Sequence, residues 1–257
     1  MSPTNKSAQI LKSFHQRPNK PLILANVYDI LSARAIAELP VSEALATASS
    51  AVAEAAGIAD NDLTLKDNLA AVKGIVAVSK EFNKPLTVDL QDGYGPELEG
   101  AIETLTALGV TGINLEDYDR ATEKLYDIAT ATNRVRRALE VAREQGVPDF
   151  VINARCDVLV QGGEMKEVLE RGKKYIEAGA TTVFVWGGSR GVSKIEVEQL
   201  VKTFGGRLNV MLKQSDDGLS IEQLAQIGVA RVSIGPALQF VAKKALQSEA
   251  RRLLTRL

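Results

Sequence analysis

Three acidic residues, one amide and one arginine stand at or near the ends of apolar runs, where side chains can converge and do chemistry. Asp89 and Gln91 close the run LTVDLQ, two residues apart and therefore on one face of a strand. Glu116 closes GINLE and Arg155 closes FVINAR, each a charge in an otherwise apolar stretch. Asp60 lies in the loop after an earlier run. Carboxylates gathered at one mouth repel unless a cation sits among them, and an all-oxygen donor set favours Mg²⁺, with Mn²⁺ as its substitute. Arg155 adds a planar fork suited to a carboxylate or phosphonate. Other residues have blander readings. Asp29, just ahead of ILSARAIAEL, reads equally as a helix cap, and Asp117 and Asp157 read as structural or solvated. His15, the single histidine, reads as surface or plug packing, and Cys156 as a small buried hydrophobe turned away from Arg155. Trp186 is either pocket wall or packing under a loop.

The elements that must position these residues alternate regularly. Short runs rich in Val, Ile and Leu recur at 21–27, 44–48, 86–90, 112–116, 150–155, 181–186, 208–212 and 231–235. Runs apolar on both faces suit strands buried in a parallel sheet. Amphipathic stretches follow them, as at 64–82, 130–145 and 193–204, and glycines punctuate helix-to-strand junctions at Gly109, Gly146, Gly179 and Gly228. Eight β-then-α units predict an α/β fold, a (β/α)₈ TIM barrel spanning 1–257 as a single domain. A doubly wound sheet is the alternative, but no Gly-rich phosphate turn follows the first strand. Residues 5–17 predict an extra helix able to plug the N-terminal mouth, and 236–256 a long C-terminal helix able to pack on another subunit. In such a barrel the site lies at the C-terminal strand ends, where Asp89, Gln91, Glu116 and Arg155 fall. The charged loop from Asp117 to Thr132 is long for a βα connection and suits a cover over that mouth.

Composition excludes several classes of function. Thirty-one Lys and Arg against thirty-two Asp and Glu give a net charge of -1, which argues against nucleic acid as partner. One cysteine excludes an intrachain disulfide framework. No secretory signal shows at the start, and no uncharged apolar run reaches the roughly 18 residues that span a bilayer. The expectation is a cytoplasmic chain with no membrane partner.

The motifs resemble, in order along the chain, those of the isocitrate lyase/phosphoenolpyruvate mutase superfamily. NVYDILSAR (26–34) is similar to that family's first strand end, and TASSAVAEAAG (47–57) with Asp60 to its Ser-rich second loop. VDLQDGYG (88–95) resembles its Asp-x-Asp-x-Gly-Tyr-Gly segment, GINLED (112–117) its strand-four acid and INAR (152–155) its strand-five arginine. The resemblance implies a Mg²⁺-dependent site for small anionic α-keto acids, in a homo-oligomer, dimer or tetramer, that exchanges its last helix. It implies Asp89, Glu116, Asp60 and Gln91 around the metal, and Arg155, Glu116 and Asp60 in catalysis. Substrate contacts would come from Ser49, Ser50, Tyr28, Arg155 and Trp186. Cleaving a bond beside the keto group leaves a pyruvate enolate, which Lewis-acid and N–H donors stabilise.

Two departures from the family pattern matter: the first lowers the negative charge around the metal and motivates the non-catalytic alternative, and the second points to the mutase-like branch. The second acid of the Asp-x-Asp pair is Gln91, and the loop after Glu116, DYDRATEKLYD, lacks the Lys-Lys/Arg-Cys-Gly-His run of isocitrate and methylisocitrate lyases. The leading expectation is a lyase cleaving a C–C bond of an oxaloacetate-like acid. The alternatives are a phosphonopyruvate mutase or hydrolase and a non-catalytic α-keto-acid-binding relative.

Overall fold

The computed structural model describes residues 2–255 apart from Asp216; Arg256, in the expected C-terminal helix, lies outside the described residues. In chain order come α1 (Pro3–Phe14), β1 (Leu22–Leu24), β2 (Asn26–Val27), α2 (Ile30–Ala37), β3 (Leu45–Thr47), α3 (Ser49–Ala56) and α4 (Leu65–Glu81). Then follow β4 (Leu86–Asp89), α5 (Leu98–Leu108), β5 (Gly112–Glu116), β6 (Tyr118–Asp119), β7 (Lys124–Leu125), α6 (Ile128–Glu144), β8 (Val151–Cys156) and α7 (Met165–Glu177). The chain ends with β9 (Thr182–Val185), α8 (Lys194–Phe204), β10 (Leu208–Met211), α9 (Ile221–Ile227), β11 (Arg231–Ser233) and α10 (Ala237–Leu254).

The main sheet is parallel, in the order β1-β11-β10-β9-β8-β5-β4-β3-β2. Its two ends are consecutive in sequence. β1 and β2 are halves of one strand bent at Ala25, the first half pairing with β11 and the second with β3. Nine segments thus make eight staves of a closed (β/α)₈ barrel, and closure removes the free edges a doubly wound sheet would keep. Each expected strand is present, and Gly109, Gly205 and Gly228 end their helices in the left-handed conformation that glycine adopts most cheaply.

Strand alternation decides what faces the lumen. In β8, Ile152, Ala154 and Cys156 pack outward into the large core under the helices, while Val151 joins a separate cluster inside the barrel. That inner cluster is Leu22, Leu24, Ala44, Ala46 and Val151, with Leu11 and Phe14 of α1 packed onto it. The N-terminal helix therefore plugs the foot of the barrel. Gly112 makes room for it: a Cβ there would stand 2.7 Å from the Val151 carbonyl and 3.3 Å from Leu11. Asn5 fastens the plug, its amide donating to Asp149 Oδ2 (3.1 Å) and accepting from the Asp149 N–H (3.0 Å).

His15 sits just past α1, buried, its Nδ1 donating to the Leu11 carbonyl at 2.9 Å. Burial, and then the positive field of Arg231, hold its pKa down at about 3. The sign follows from linkage: between pH 6.5 and 3 the unfolded chain binds a proton that the folded chain refuses. The stability is fully present above pH 6.5 and lost as pH falls towards 3, on the order of 5 kcal/mol in all. His15→Phe should flatten denaturant-derived stability over this window. An unchanged slope would place the titrating groups elsewhere.

Candidate active site

The C-terminal strand ends bring Asp89, Glu116 and Arg155 together. β4 pairs Asp89 with Asn114 of β5, and β5 pairs Glu116 with Arg155 of β8, so all four share the lumen face. Arg155 Nη1 lies 2.7 Å from Glu116 Oε1, and Arg155 Nε donates to Asp157 Oδ1 at 2.7 Å. The guanidinium lies over the Trp186 ring, 4.3 Å from its centroid. Trp186 thus stacks on the fork.

Asp89 occupies the N-terminal end of α3. Its Oδ2 accepts from the Ser49 N–H at 2.9 Å, where the helix dipole favours negative charge. Asn68 of α4 holds the strand end from behind, donating to the Asp89 carbonyl (3.0 Å) and the Tyr94 hydroxyl (2.9 Å). Asp89 Oδ1 is buried and has no hydrogen-bond partner among the described residues. Burial raises the Asp89 pKa, against the pull of Arg155. Burial also raises that of Glu116. Arg155 stays protonated and offers Glu116 a charged donor at 2.7 Å, which pulls against that rise. Burial works against the Arg155 charge too, but Asp157, Glu116 and Asp89 outweigh it, and its pKa is raised.

Gln91 and Asp60 meet at the rim. Gln91 is buried in a left-handed backbone conformation (φ 52°), and its Nε2 donates to the Asp60 carbonyl (2.9 Å) and Asp60 Oδ1 (3.0 Å). Gly93, in the same turn, has φ 78°, and a Cβ there would meet the Leu98 side-chain end at 2.6 Å, so the position favours glycine. Arg120, in sequence only one charge of a charged loop, reaches the same rim. Its Nη2 donates to the Asp60 carbonyl and to Asn61 Oδ1, both at 2.8 Å, and its Nη1 lies 3.8 Å from Glu116 Oε2. The loop carrying it is a small hairpin, β6 against β7, drawn across to the Asp60 loop. Its one signal in the sequence is a cation four residues after Glu116.

Other expectations sort plainly. Tyr28 packs against the cluster of Val52, Ala53 and Leu63 between α3 and α4. Ser50 sits in the first turn of α3, where an N–H has no carbonyl of its own helix to bind. Asp29 caps α2 in a capping box with Ser32. Asp117 is structural: its Oδ1 accepts from the Asp157 N–H (2.8 Å), its Oδ2 from the Tyr175 hydroxyl (2.7 Å), and burial lifts its pKa to about 6. Cys156 is fully buried on the outer face of β8.

The profile of the family described as phosphoenolpyruvate phosphomutase matches residues 11–254. An uncharacterized protein of Mycobacterium tuberculosis is 30% identical over 227 residues, 87% of this chain and 81% of its own. The phosphoenolpyruvate phosphomutase of Streptomyces hygroscopicus is 27% identical over 218 residues, 80% of this chain and 67% of its own. Among solved structures, a Burkholderia cenocepacia J2315 protein provisionally described as a phosphonomutase superposes with a TM-score of 0.86. It is 32% identical, and the match covers 97% of this chain and 99% of that one. With its barrel, its acidic strand ends and a match over nearly its whole length, the chain belongs to the phosphoenolpyruvate mutase family, within the isocitrate lyase/phosphoenolpyruvate mutase superfamily of enzymes that cleave C–C or P–C bonds of small keto or phosphonate acids.

Proposed function

We propose that the chain is a Mg²⁺-dependent enzyme acting on the P–C bond of phosphonopyruvate or a close analogue. The observation that carries this reading is the pairing of a partnerless buried Asp89 oxygen with two guanidiniums, Arg155 and Arg120, that approach opposite oxygens of Glu116. Such a frame suits an acid charged at both ends with a cation at its centre. The Streptomyces hygroscopicus relative is a phosphoenolpyruvate phosphomutase, which favours P–C over C–C chemistry.

The residues fit a hard divalent ion. Among the described residues no three His, Cys, Asp or Glu side chains are grouped to hold one directly. Asp89 Oδ1 would bind it, with Glu116, Asp60 and Gln91 around it through water. Mg²⁺ there supplies Lewis acidity towards the keto acid. Arg155, fixed by Asp157 and Trp186, orients the anionic end of the substrate. The free N–H of the first turn of α3 at Ser50 faces the charge that develops on the enolate oxygen. The P–C bond breaks with its electron pair staying on carbon. The phosphoryl group then passes to water, giving phosphate and pyruvate, or to the enolate oxygen, giving phosphoenolpyruvate. Arg120 draws the hairpin over the mouth and limits premature protonation of that carbon.

A second reading, decarboxylation of an oxaloacetate-like acid, draws on the same loop. Arg120 offers a cation rather than an acid, and departing CO₂, unlike a departing carbanion, needs no proton. Assays of phosphonopyruvate and oxaloacetate, each with Mg²⁺ and with chelator, test both. Metal-dependent loss of phosphonopyruvate is the expected result. Turnover of oxaloacetate alone selects the second reading, and oxalate binding without turnover of either selects a non-catalytic keto-acid binder.

The oligomer belongs to the same proposal. α10 leaves Phe240, Val241, Leu246, Leu253 and Leu254 exposed, apolar surface that exchange of this helix with a second copy would cover.

A further inference from the structure

One layer below Asp89 and Glu116 the lumen is not the branched-aliphatic packing usual in such barrels. It holds Thr87, Asn114, Asn153, Thr182, Asn209 and Arg231, all buried. Arg231 is fully buried, and its Nη2 donates to Asn114 Oδ1 at 3.0 Å. Asn153 Nδ2 donates to the same oxygen at 2.8 Å, and Asn153 Oδ1 accepts from Thr182 Oγ1 at 2.6 Å. A guanidinium can only donate, so the Asn114 atom facing Arg231 must be the oxygen. The amide orientation is therefore fixed by chemistry, and Nδ2 points away from Arg231.

Where that Nδ2 points decides its use. Asn114 pairs in register with Asp89 and stands two residues before Glu116 on the same strand face. It is 6% exposed, while the other five members of its layer are at most 1% exposed. With α1 closing the foot, solvent reaches it through the catalytic mouth. Nδ2 has no acceptor among the described residues, yet it is absent from the sealed, unpartnered atoms that include Arg231 Nε and Nη1. It is an open donor.

We propose that Asn114 Nδ2 is a substrate-facing hydrogen-bond donor on the floor of the site, addressed to an oxygen of the bound keto or phosphonate acid, and that Arg231 is the positioning residue that fixes it. Sealing a guanidinium in the lumen with two nitrogens unpartnered among the described residues is costly. An aliphatic side chain would fill the same volume without that cost, and holding the amide is what Arg231 adds. The inference rests on the reading of this site as a metal-assisted anion site and adds a contact to it.

Calorimetric titration of the full chain with oxalate in saturating Mg²⁺ tests it. Asn114→Ala removes the donor and should weaken oxalate about tenfold, the order expected for a hydrogen bond to a charged group. Asn114→Asp keeps the size and the Arg231 contact but turns an oxygen towards the anion, and should weaken it further. Mg²⁺ affinity without oxalate should stay unchanged in Asn114→Ala, which a general loosening of the barrel would not allow. Arg231→Met should lose about as much as Asn114→Ala, and the double variant no more than either, because Arg231 acts through the amide. If Arg231→Met does not fold, Arg231→Lys takes its place. Oxalate affinities within twofold of the parent in both Asn114 variants overturn the donor assignment alone. A parent protein that binds no oxalate with Mg²⁺ overturns the anion-site reading and the donor role with it.

Discussion

Asp89→Asn should abolish the Mg²⁺-dependent rise in melting temperature and reduce oxalate binding below detection. Asp89 is the one carboxylate of the site with a buried oxygen left unpartnered among the described residues, so it has the least to give up on meeting a cation. A ligand at about 100 times its Kd stabilises by roughly 2.7 kcal/mol. For a chain of this size that is a rise on the order of 5–10 °C. The asparagine keeps the contact from the Ser49 N–H and removes the charge. Without metal the variant should be no less stable than its parent, because burial disfavours the Asp89 carboxylate in the folded state. A melting curve that still shifts with Mg²⁺ and oxalate would show that the ion, if bound, sits elsewhere.

Arg155→Met should raise the Kd for oxalate at least a hundredfold and destabilise the protein by about 3 kcal/mol. The two effects have separate causes. Affinity falls because the fork orienting the anion is gone. Stability falls because Glu116 and Asp157, both buried, lose the cation they share, and breaking a buried ion pair on one side typically costs about 3–5 kcal/mol. Arg155→Lys should recover part of the stability but little of the affinity, since an ammonium can neither span Glu116 and Asp157 nor lie flat on Trp186. Equal recovery of both would mean that Arg155 acts as a charge alone.

The barrel was readable because its signal is periodic: eight apolar runs with helices between them leave few closures. Asp89, Glu116 and Arg155 were readable because a charge inside an apolar strand stands out against its neighbours. What escaped has a common cause. Asn114 and Arg231 are polar residues of strands whose partners lie 117 positions apart, a contact that exists only once the barrel closes. Arg120 sits in a loop where charge is ordinary, and only the hairpin of β6 and β7 shows that it reaches Asp60. Tyr28 stands at the first strand end, and its packing on Val52, Ala53 and Leu63 likewise appears only in the folded chain.

The closure of the barrel foot by Leu11 and Phe14 gives the lumen the shape of a blind well. A well with a sealed bottom exchanges its contents through one opening, the mouth at which the Arg120 hairpin reaches the Asp60 loop. Without α1 the lumen would become a through-channel, and protons could arrive from below, past Arg231, while the top stayed shut. The N-terminal helix, far from the carboxylates and touching none of them, would then be the part of the chain that decides whether an enolate survives long enough to be used.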